Sequence, residues 1–167
     1  FLQGFHVARE RLFQIDVFRK RGLGLLAADF GPGYIEQDRA SRLFLYRGDM
    51  AAEWRAYGPD ARDICGWFVQ GINAYIDGLA GDLDSLPPEF TALGTRPSQW
   101  HADDVVRIRT HGWMRNLLSE GTRAQLLSGG DALADHLRIN LEPHTEPHHA
   151  PGLDLKSISS SVIEAYR

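Results

Sequence analysis

Phe5, Ala8, Leu12 and Ile15 recur at steps of three and four, and that spacing commits the opening of the chain to a helix with one apolar face. Arg9, Glu10, Arg11 and Asp16 fall mostly off the face, while Phe13 and Val17, four apart, widen it. A stripe that broad suits a helix packed against two neighbours rather than one resting on a surface. Taken residue by residue, it describes a core helix with no chemistry of its own.

The helical period continues along the chain. Asp60 to Leu79 carries Ile64, Phe68, Gly71 or Ile72, Tyr75 and Leu79 at helical spacing, with Pro59 in a tolerated first-turn position. Gly78, Gly81 and the stretch from Asp82 to Pro88 break the pattern, and Pro87-Pro88 restarts a short turn that ends near Gly94. Trp100 to Asp104 reads as the start of another helix, with Asp103 and Asp104 in the first turn, where the helix dipole favours negative charge. That helix is expected to reach about Ser119, and a further one to run through Ala124 to His136. The expected division is a helical body over 1–140, a Pro/His-rich surface connection over 141–156 and a short helix over 157–167 with Val162, Ile163 and Tyr166 on one side. No repeat, low-complexity tract or defensible strand is visible, so the fold class is mostly α.

A chain of 167 residues with 43% hydrophobic and 24% charged content can hold one domain with a real core. A formal charge of -4 argues against nucleic acid as a partner, since that binding leans on clustered Lys and Arg. The single cysteine, Cys65, excludes an internal disulfide and a CxxC metal site, and it reads as a small core residue. Apolar runs are only a few residues long, too short to span a membrane. The chain opens at Phe1 without an initiator Met and turns helical at once, so an upstream segment is expected.

Several segments in order carry a resemblance. They are Gly4-Phe5-His6-Val7-Ala8-Arg9-Glu10-Arg11-Leu12-Phe13-Gln14-Ile15-Asp16, then Leu25-Leu26-Ala27-Ala28-Asp29-Phe30-Gly31-Pro32 and Glu36-Gln37-Asp38-Arg39, in which Gly31-Pro32-Gly33 is a credible turn. Gly71-Ile72-Asn73-Ala74-Tyr75-Ile76, Leu86-Pro87-Pro88-Glu89-Phe90 and Pro97-Ser98-Gln99-Trp100 follow. Together they cover most of residues 1 to 140 and resemble the penicillin acylase (penicillin amidase) family. That resemblance implies an α subunit, cut from one precursor, of an N-terminal nucleophile hydrolase. Its helices would wrap an αββα sandwich completed by a separate β chain, in an obligate heterodimer. The wide apolar helix faces, with hardly any strands to cover them, agree with such a partner surface.

Three constellations are candidates for chemistry. Arg107, His111 and Arg115 repeat every fourth residue and so would line one helix face, most simply a solvated or salt-bridged one. The resemblance places Trp113 and Met114, with Arg115 beside them, at the pocket that receives the acyl group of a small N-acylated substrate. Aromatic and thioether surfaces there favour an apolar acyl chain, and Gly112 permits close approach. Ser119-Glu120 is the second. A lone glutamate is ordinarily just solvated, but the family resemblance implies that Glu120 lends one oxygen to a structural calcium ion shared with the β chain. The third is His144, His148 and His149, whose spacing could bring two imidazoles onto zinc or nickel, although Pro147 and the composition favour an exposed metal-free loop.

No GxSxG elbow, HExxH, P-loop or paired-carboxylate site is present, so no catalytic residue is expected in this chain. The resemblance puts the nucleophile, usually serine, at the first residue of the β chain, where its own α-amino group takes the proton and donors of that chain hold the oxyanion. It also implies a periplasmic or secreted location, a cytoplasmic one remaining open. The substrate choice lies between a β-lactam such as penicillin or cephalosporin, an acyl-homoserine lactone and another amide or anilide. A helical binding module and a histidine-loop metal binder are the rival classes.

Overall fold

The computed structural model describes residues 1–80, 83–138 and 150–164, with the side chains of 83, 110–114, 162 and 163 outside that description. Among the described residues there are helices and no strands. In order they are α1 (Leu2–Leu23), α2 (Leu26–Phe30), α3 (Ile35–Phe44), α4 (Met50–Arg55), α5 (Ala61–Leu79), α6 (Pro88–Leu93), α7 (Ala102–Arg107), α8 (Gly112–Ser128), α9 (Ala132–Arg138) and α10 (Ser160–Glu164). They fall into two compact units, Phe1–His111 and Gly112–Arg167.

The first unit is organised by the contact of α1 with α5. Gly4, Ala8, Leu12, Asp16 and Lys20, every fourth residue, are buried along α1. The inward stripe is therefore narrower and more polar than the apolar face the sequence suggested, and Asp16 belongs to it. The small residues let the two backbones meet. A Cβ on Gly4 would stand 1.9 Å from the carbonyl oxygen of Phe68, and one on Gly71 would stand 2.0 Å from that of Phe1. Ala8, Leu12, Val69, Ile72, Ile76, Phe90, Trp100 and Ile108 form the core around this contact. Phe13 meets Phe90 edge to face at 5.2 Å, and Phe5 meets Tyr75 likewise at 5.4 Å. α1 breaks helical geometry at Arg11, beside an open groove of about 410 Å³ lined by Arg9 to Gln14, Pro87 and Glu89.

Buried charge fastens the loops to this helix pair. Lys20 bonds both Asp16, at 2.6 Å, and Asp29. Asp16 in turn accepts from the Ser98 amide at 3.0 Å. Burial works against the ammonium charge, but the hydrogen bonds and charges of Asp16 and Asp29 outweigh it and raise the Lys20 pKa above its ordinary 10.5. Arg19 pairs with Asp104 at 2.7 Å and lies over the Trp100 ring. Asp104 also accepts from the His101 amide, completing a capping box at the start of α7. Asn73 holds Trp100 by both its backbone groups, at 2.8 and 2.9 Å. Asp38 reaches from α3 to accept from the Leu26 and Ala27 amides, which caps α2.

Cys65 is half-buried on α5, and burial pushes its thiol pKa up, away from reactivity. Pro59 precedes α5, whose N-cap is Asp60, so it stands just outside the first turn rather than in it. The Pro87-Pro88 turn is a six-residue helix closed by Gly94 at φ 65°, a left-handed position.

Candidate functional site

The helix expected to continue from Trp100 to Ser119 is three elements. α7 ends at Arg107, a 3₁₀ turn occupies Ile108–His111, and α8 begins at Gly112. Arg107, His111 and Arg115 thus belong to three successive elements rather than to one helix. α8 then runs past Ser119 to Ser128, where Gly129 and Gly130 stop it, Gly130 at φ 82°. Asp131 accepts from the Ala134 amide at 2.9 Å and starts α9.

α9 is held to α8 through its polar side. Asp135, only 4% exposed, pairs through Oδ2 with Arg123 Nε at 3.4 Å and through Oδ1 with Arg138 at 3.0 Å. Arg138 also donates to the hydroxyl and the carbonyl oxygen of Ser119, each at 3.1 Å. Arg123 reaches toward Glu120 as well, with 3.8 Å between NH1 and Oε2. Glu120, Arg123, Asp135, Arg138 and Ser119 therefore make one ladder between the two helices. The i,i+3 pairs within each helix are visible as sequence spacings. The pairing across helices, Arg123 with Asp135 and Arg138 with Ser119, has no sequence signal, and both arginines were missed by reading the sequence.

Arg115 and Glu120 are exposed on α8. Trp113 and Met114 stand in the first turn of α8, and their side chains lie outside the described residues, as do His144, His148 and His149 altogether. Among the described residues no group of three or more His, Cys, Asp or Glu could hold a metal. Glu120 alone, beside a guanidinium, does not make a calcium site in this segment. The Glu120 side chain is 57% exposed, it is a hard oxygen donor, and it stands 3.8 Å from Arg123.

These features define the class as a mainly α-helical polypeptide carrying the ordered segments of the acylases. Residues 1–152 match the penicillin amidase family. The chain is 30% identical over 120 residues to the penicillin G acylase of Escherichia coli, a match covering 71% of this chain and 14% of that protein. It is 31% identical over 139 residues to the acyl-homoserine lactone acylase QuiP of Pseudomonas aeruginosa, covering 80% of this chain and 16% of that one. Among solved structures it matches a chain of the thermostable penicillin G acylase from Alcaligenes faecalis, in its tetragonal form, with a TM-score of 0.61 and 26% identity over 90% of this chain and 85% of the other. The chain belongs to the penicillin amidase family. It spans about one seventh of the length of the curated relatives it matches. The chain solved in the Alcaligenes protein, by contrast, is of nearly its own length.

No helix among the described residues is long and apolar enough to cross a membrane.

Proposed function

We propose that this chain is the α subunit of a heterodimeric amidohydrolase that cleaves the amide bond of an N-acylated small molecule, with a β-lactam such as penicillin as the leading substrate class. In this reading Trp113, Met114 and Arg115 shape the acyl pocket. The first residue of a β chain from the same precursor, a serine, attacks the carbonyl while its α-amino group takes the proton. An acyl-enzyme forms, the amine leaves, and water then releases the acid. The protein works in the periplasm or outside the cell.

The observation that carries the two-chain reading is the polarity of α9. Its inner side is Asp135 and Arg138, while Leu133 and Leu137, four apart, are 69% and 76% exposed. Two leucines one turn apart, exposed on a helix whose buried contact is Asp135, are apolar surface that a partner chain would cover. The contrast between long curated relatives and a short solved chain of this length supports the same division. A second reading, hydrolysis of an acyl-homoserine lactone, is favoured by the match to the Pseudomonas acylase over 80% of this chain.

The test is intact mass and N-terminal sequencing of everything that co-purifies with this segment when the full precursor is expressed. A second, larger polypeptide beginning with Ser is expected, and assays of amine release from penicillin and from an acyl-homoserine lactone then decide the substrate. A single species with no companion, inactive on both, would favour a helical binding module.

A further inference from the structure

Arg42 and Arg47, at the end of α3 and just beyond it, are exposed, yet both are fixed in place. Arg42 donates from Nε to the Gly24 carbonyl oxygen at 2.9 Å, and Arg47 from Nη2 to the carbonyl oxygen of Arg42 at 2.8 Å. The fit is close, since a Cβ on Gly24, at φ 67°, would stand 2.7 Å from Arg42 Cγ. A carbonyl dipole holds a guanidinium without neutralising it, and a single bond leaves most of its N–H donors unused. The carboxylates nearest along the chain are engaged elsewhere. Asp38 caps α2 through the Leu26 and Ala27 amides, Asp49 accepts from the Ala51 amide at the start of α4, and Glu36 pairs with Arg39. Neither Arg42 nor Arg47 has an ionic partner among the described residues. Leu43, next to Arg42, is 75% exposed on a helix whose buried residues are Asp38, Ala40 and Ser41.

We infer that Arg42, Leu43 and Arg47 form a docking surface for the β chain, and that the segment seated there is acidic, with carboxylates on the two guanidiniums and an apolar side chain over Leu43. Charge complementarity names the occupant: two cations without counter-charge call for carboxylates that this chain does not supply. Because both arginines are already held by carbonyl oxygens, little side-chain freedom remains to be lost on docking. The net charge of -4 repels an acidic segment from the chain as a whole, so the arginine pair also selects where it lands. The curated relatives, of which this chain spans about one seventh, have ample further polypeptide to provide such a segment. The inference rests on the two-chain reading above, and its test separates the two.

The test uses the processed protein made from the full precursor. Arg42→Lys and Arg47→Lys each keep the charge and supply an amine that a carbodiimide joins to a carboxylate in contact with it. Peptide mass spectrometry should find the new amine at each position bonded to an Asp or Glu of the second chain. Arg62→Lys, at an exposed arginine in the first turn of α5, should give no such link. Arg42→Gln together with Arg47→Gln should weaken chain association by about two- to fivefold per arginine, the range of exposed ion pairs, and the difference should shrink as salt is raised. The lysine variants decide should the glutamine pair fail to fold. A second chain that co-purifies but forms no link at positions 42 and 47 overturns the docking surface and leaves the two-chain reading standing. Links as frequent from position 62 overturn the selection by the arginine pair. A single species with no companion overturns both readings.

Discussion

Lys20 is a cation that two buried carboxylates, Asp16 and Asp29, hold in place, and its raised pKa makes the arrangement testable by pH. A lysine whose folded pKa exceeds its unfolded value contributes stability that is fully present below about 10.5 and is lost as pH climbs through the higher folded value. Lys20→Met keeps much of the side-chain volume but strands the two carboxylates, at a cost of about 3–5 kcal/mol near neutrality. Urea unfolding of both proteins at pH 8 and again above 10.5 should show that difference shrinking with alkali. A gap that stays constant across the range would mean that the charge on Lys20 is not what stabilises the loop. Apolar spacing put Asp16 off the buried face and did not single out Lys20. Their burial depends on Asp29 and the Ser98 amide, 9 to 82 positions away along the chain, and no local pattern carries that.

At the scale of elements, periodicity identified α1 and α5 as helices, the acidic first turn located the start of α7, and Gly31-Pro32-Gly33 marked the turn before α3, because these are local features. It failed between Arg107 and Gly112 and again at Gly129-Gly130, joining what the fold separates. In the first case the 3₁₀ turn keeps a spacing close enough to helical that a four-residue repeat survives in the sequence. In the second a glycine pair was read through. Packing between elements was legible only in part, since the α1–α5 contact is made by glycines that apolar patterns ignore. Two substitutions on α5 separate packing from propensity. Gly71→Ala drives a Cβ into the Phe1 carbonyl, where backbone and not a flexible side chain must yield, and should destabilise by about 3 kcal/mol. Gly66→Ala, in the same helix with nothing within 4 Å, should stabilise by roughly 0.5 kcal/mol. Thermal unfolding of the pair checks this, and equal effects from both would mean that the helices do not approach through Gly71.

For the molecule as a whole, the proposed role makes this chain one part of a larger protein, and the partner should be felt most at the outward leucines. The proposed site was legible only through resemblance, because a pocket wall that a second chain would complete has no pattern of its own in one sequence. Leu133 and Leu137 test the assembly directly because their helix is held to α8 by Asp135 and Arg138, not by the leucines. Covering each leucine side chain with protein contributes about 1.5–3 kcal/mol. Leu133→Asp with Leu137→Asp, made in the full precursor, should therefore weaken chain association by several kcal/mol, while the charged face that folds α9 onto α8 stays intact. Sedimentation of the processed protein in increasing urea reads this as separation of the two chains at lower denaturant than in the unaltered protein, ahead of the loss of helical signal. If separation and helix loss shift together, the leucines serve the fold of this chain, and the polarity of α9 no longer supports a partner there.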